Sequence, residues 1–204
     1  MSIDLSPLSP PVRLAIAYAN AAVRPRLVFL LMFDDRIAGV VGRTSEPLFA
    51  QMRIAWWHEA ISKTPETRPK GEPLLVELAR MEGEGQATGL VEEMQLLLDG
   101  WGILAAHEDW NSDVLQQFAV ARSKAVFGSY ASWAGLAEPV KAGELWALDD
   151  LSIRFGRNFD RMSQPVSRRL PKALRPLSML ALAASTARQR VTGPRLIWHA
   201  LTGW

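Results

Sequence analysis

The sequence predicts an all-α fold, a single-domain antiparallel helical bundle, on three observations. Apolar residues recur at the three- and four-residue spacing of an amphipathic helix through most of the chain. No segment sustains the period-two alternation of a strand bounded by hairpin turns. Proline and glycine fall at intervals that cut the chain into helix-length pieces.

Pro10-Pro11 opens a helix over 11–22, because the fixed φ of proline suits a first turn, where its missing N–H costs nothing. The apolar run Leu27 to Phe33 sits in a second helix over 25–39, and Glu46-Pro47 starts a third over 46–62. Thr64 to Pro73 holds three prolines and reads as a loop before a helix over 72–81. Glu82 to Gly89 breaks the next pair and leads into 88–106. Further helices are expected over 111–136, 140–160, 172–189 and 194–202, set off by Pro139, Pro165, Pro171, Pro176 and Gly193-Pro194. Apolar helices joined by short turns bury their stripes against one another, and a bundle places ligand sites between facing helices.

Composition narrows the class. With 204 residues, 49% of them hydrophobic and 22% charged, the chain suits one domain over 1–204 with a substantial core. It contains no cysteine, which removes disulfides, thiolate nucleophiles and cysteine-ligated zinc together. Its apolar runs fall well short of the roughly 20 residues that span a bilayer. The opening residues lack a basic stretch followed by an apolar core, so a cytoplasmic protein is expected. Charge is uneven: 151–204 carries ten Lys or Arg against Asp160 alone, about +9, leaving about −7 for the remainder. Such a segment suits an anionic phospholipid surface, a diphosphate or nucleic acid, or forms a solvated basic face.

Four stretches share one order with a known family. They are Arg24-Pro25-Arg26-Leu27 through Phe33-Asp34-Asp35-Arg36-Ile37-Ala38-Gly39, then Gln51-Met52-Arg53-Ile54-Ala55-Trp56-Trp57, then Leu97-Leu98-Asp99-Gly100-Trp101, and finally Gly143 through Asp149-Asp150-Leu151. Together they resemble the squalene/phytoene synthase family, a branch of the all-helical isoprenoid synthase fold, with Arg-x-x-Trp-Trp the most specific segment. The resemblance implies a site that ionises a prenyl diphosphate with magnesium and joins two such substrates head to head. It assigns substrate contacts to Asp34, Asp35, Arg53, Trp57, Asp99, Asp149, Asp150 and Arg154, and magnesium to Asp34, Asp35 and Asp150.

The residues depart from that chemistry at the metal. Two aspartates at i and i+4 share a helical face about 6 Å apart and bridge metal to phosphate oxygens. Here the i+4 partners of Asp34 and Asp35 are Ala38 and Gly39, and those of Asp149 and Asp150 are Ile153 and Arg154. Leu104 and Ala105 follow Asp99-Gly100 where the family tends to carry a further aspartate. Adjacent aspartates point about 100° apart, so each pair aims at most one carboxylate at a common ligand. The competing reading makes them structural ion pairs with Arg36, Arg53, Arg154 or Arg157. Arg53 and Trp57 lie one turn apart and could stack, with aromatic core packing as the alternative, which also covers Trp101, Trp133 and Trp146. His58, His107 and His199 lack a second ligand at metal spacing, and no P-loop, dinucleotide fingerprint or nucleophile elbow is present.

Two functions remain. One is a degenerate relative without full catalysis that binds an isoprenoid, another lipid or a partner protein. It resembles the branch containing a respiratory complex I assembly factor and sits peripherally at the inner membrane. The other is an active prenyltransferase using Mg2+. Nucleic acid finds no recognised motif.

Overall fold

The computed structural model describes residues 5–6, 8–43, 46–157, 159 and 170–189. Among them every regular element is a helix and there is no strand. The elements are α1 (Pro10–Ala17), α2 (Arg24–Gly42), α3 (Pro47–Ser62), α4 (Pro73–Gly83), α5 (Leu90–Ala105), α6 (Ser112–Ser123), α7 (Ser129–Trp133), α8 (Val140–Phe155) and α9 (Arg175–Gln189). The expected helix over 194–202 and much of the basic segment 151–204 lie outside the described residues.

Local chemistry sets the boundaries. Proline occupies the first turn of α1, α2, α3 and α4. The Asn111 side chain accepts from the Asp113 and Val114 amides, both at 3.0 Å, and so starts α6. The helix expected over 140–160 stops at Phe155, because Gly156 takes a left-handed φ of 61°. The first helix ends at Ala17 rather than near 22. The Asn20 carboxamide accepts from the Ala22 amide at 2.9 Å, and Arg24 claims the Ala17 and Ala19 carbonyls. The expected helix over 111–136 runs through α6 and α7, but a π-helical turn at Lys124–Gly128 joins the two.

Burial follows the apolar pattern. α2 is buried on nearly every side, from Leu27, Phe29 and Leu30 to Phe33, Ile37 and Val41, as a helix apolar all round must be. α5 packs against α2, α3 and α6, while α8 lies between α6 and α9, and α1 closes against α9. Glycine permits the closest approach: a methyl on Gly143 of α8 would overlap the Ser123 hydroxyl and sit 3.0 Å from the Phe127 ring. That closeness brings the first turn of α8 onto the end of α6, and Ala147 and Asp150 further along α8 meet Arg122.

Candidate functional site: a buried arginine between two aspartate helices

Asp34 on α2 points inward and is 1% exposed, which an ionised carboxylate tolerates only with partners. Trp101 of α5 donates its indole N–H to Asp34 Oδ1 at 2.8 Å. Arg122 of α6, fully buried, donates Nε to Asp34 Oδ1 at 3.0 Å and Nη2 to Oδ2 at 2.6 Å. This is the planar fork-to-carboxylate arrangement that only arginine provides. The same guanidinium reaches α8, donating from Nη2 to Asp150 Oδ2 at 2.5 Å and from Nη1 to the Ala147 carbonyl at 3.2 Å. Its faces are covered by Trp146 at 4.1 Å and Trp101 at 5.2 Å, so it also stacks as a cation on aromatic rings.

The network continues outward. Arg154, one turn after Asp150, donates Nε to Asp150 Oδ2 and Nη1 to Asp35 Oδ1, both at 2.7 Å. Three carboxylates and two guanidiniums thus form one chain from α2 to α8, with a formal charge of −1. Burial penalises the Asp150 carboxylate, but the charges of Arg122 and Arg154 outweigh it and hold its pKa below the ordinary value. The same carboxylates keep both arginines charged against the cost of burial.

The structure therefore brings together Asp34, Asp35, Asp150 and Arg154 from the residues singled out in the sequence. Asp149 is also buried on α8. Arg53, Trp57 and Asp99 are placed elsewhere. Arg53 is exposed on α3. Trp57 is buried edge-on to Phe33 and Trp56, so it belongs to aromatic packing rather than to a stack with Arg53. Asp99 lies on the outer side of α5, 3.4 Å from the His58 ring. Of the arginines considered as ion-pair partners, Arg154 takes that role, whereas Arg36 pairs with Glu72 and Arg157 covers Trp110.

Sequence reasoning missed Arg122. A signal was present: it is a cation at i+4 from Phe118 and i−4 from Val126, on the apolar stripe of its helix. A charge in that position has to be neutralised by side chains from other helices.

A divalent cation bridging Asp34 and Asp150 would need several oxygen ligands where a guanidinium already makes four hydrogen bonds. As arranged, these residues do not fit magnesium held from both walls. Among the described residues no group of three or more His, Asp or Glu side chains gathers at metal-binding spacing. A cleft of about 300 Å³ lies instead at one end of the bundle, lined by Val41, Ala50, Leu104, Trp110, Phe155 and Arg157 among others. Comparisons with protein-family models, with curated proteins and with solved structures find no match to this chain. Among the described residues no helix is long and apolar enough to cross a membrane.

Proposed function

We propose that this chain is a squalene/phytoene synthase-like protein of the isoprenoid synthase type whose aspartate motifs serve structure instead of head-to-head condensation. On this reading it binds an isoprenoid, another lipid or a partner protein, and acts in the assembly of a respiratory complex at the inner membrane surface. One observation carries it: the Arg122 guanidinium lies between Asp34 and Asp150, where the resemblance puts metal and diphosphate. Ionising a diphosphate needs charge that gathers on the leaving group, and here the cation is covalently fixed and its hydrogen bonds are already committed to carboxylates.

The test incubates the purified chain with labelled farnesyl or geranylgeranyl diphosphate and Mg2+, following both diphosphate release and prenyl product. The expected result is neither, with any diphosphate binding independent of magnesium and weakened in Arg154→Ala. Magnesium-dependent turnover that disappears in Asp34→Ala or Asp150→Ala would overturn the proposal and identify a working prenyltransferase.

A further inference from the structure

The first turn of α2, the first turn of α5 and the last residue of α7 meet in a second charged cluster, which shares no residue with the Arg122 network. Glu93 Oε1 of α5 accepts from the Trp133 indole of α7 at 2.9 Å. Arg26 of α2 lies over the same ring, its guanidinium carbon 4.5 Å from the centroid, and donates from Nη2 to the Thr88 carbonyl. Both side chains approach Gly89, which has a left-handed φ of 77°. A Cβ there would sit 3.8 Å from Glu93 Oε1 and 3.9 Å from Arg26 Nη2.

Each of the two nevertheless leaves one polar atom unused. Glu93 Oε2 and Arg26 Nε are buried without a hydrogen-bond partner among the described residues. One belongs to an acid and the other to a base, yet they do not satisfy each other. Buried orphans of this kind are rare, because each forfeits its hydration for nothing in return.

The state of the carboxyl accounts for the separation. Four groups face Glu93: Arg26 from α2, the Trp133 indole and the Ser129 hydroxyl from α7, and Glu92 on its own helix. Burial favours the neutral acid and outweighs Arg26, Trp133 and Ser129, with Glu92 adding to it, so the proton is held up to about pH 7. A neutral carboxyl offers Arg26 little, and the guanidinium stays on the aromatic face. A carboxylate offers a charge-assisted hydrogen bond, about twice as strong as a neutral one.

We propose that Glu93 is a proton-operated latch on Arg26. With its proton, the carboxyl leaves the guanidinium on Trp133 at the end of α7. When the proton passes to solvent, Glu93 Oε2 accepts from Arg26 Nε and draws the guanidinium off the ring, so that α2 is held by α5 instead. The latch does not depend on the function proposed above.

In the test, NMR on the full chain follows the Glu93 carboxyl carbon, the Arg26 Nε–H and the nuclear Overhauser contacts between Arg26 and the Trp133 ring through a pH titration. One common midpoint near 7 is expected, with the contacts present below it and lost above it. Glu93→Gln keeps an acceptor for Trp133 but cannot ionise, and should preserve the contacts at every pH. Arg26→Gln removes the positive charge that lowers the Glu93 pKa, so the carboxyl midpoint should move up. Contacts that persist above the midpoint, or an Arg26 signal that titrates unchanged in Glu93→Gln, would overturn the latch. So would a Glu93 midpoint near the ordinary 4.5, or one that Arg26→Gln does not move.

Discussion

Arg122 brings a full charge into an interior where an unpaired ion costs several kcal/mol, and Asp34 and Asp150 make that position tenable. Removing one member strands the others, so Arg122→Ala should lower unfolding free energy by about 3–5 kcal/mol, read by urea denaturation. Arg122→Lys should recover little of it, because an ammonium cannot reproduce the fork on Asp34 or the stacking between Trp101 and Trp146. Asp150 has a depressed pKa in the fold, so its contribution is present above the ordinary carboxylate value and lost as pH falls through the lower folded one. Stability should therefore drop in acid below about pH 4, and less steeply in Asp150→Asn.

Glu93 behaves in the opposite sense. Burial pushes its pKa from 4.5 up to about 7, against the lowering effects of Arg26 and of the Trp133 indole, which donates to it at 2.9 Å. A raised folded pKa gives a contribution that is complete below 4.5 and falls away as pH rises to about 7. Glu93→Gln should flatten the stability profile across that window, measured by denaturation at a series of pH values.

At the scale of elements, the contact between α6 and α8 positions the network, and it depends on the bare face of Gly143. Gly143→Ala should force α8 away from Ser123 and Phe127 at a cost of about 1–3 kcal/mol, seen as a lowered urea midpoint. Pairing it with Ser123→Gly should recover part of the loss, since the overlap is with that side chain. Helix starts at Pro10-Pro11 and Pro47 were readable because their signal is local, a proline in a first turn. The π-turn at Lys124–Gly128 was not, since the local sequence is that of an ordinary helix and the extra residue is accommodated by packing against α5 and α8.

For the molecule as a whole, the uneven charge makes a separate prediction. Co-sedimentation with vesicles should require anionic lipid and weaken as salt rises, each well-placed Arg or Lys of 151–204 adding about 1 kcal/mol. Equal binding to neutral vesicles would reject that electrostatic account. The sequence alone determined the all-helical class, the order and approximate span of the helices among the described residues, and the loss of i+4 carboxylates after Asp34, Asp35, Asp149 and Asp150, because periodicity, proline placement and spacing are properties of neighbouring residues. Only the tertiary structure decided that Asp34 and Asp150 share one guanidinium, that Asp99 and Arg53 sit away from it, and that α3 keeps an apolar face in water. Those outcomes depend on which helices face each other. Arg122 lies 88 residues from Asp34 and 28 from Asp150 along the chain, so their pairing is set by how α2, α6 and α8 pack, which no local pattern encodes.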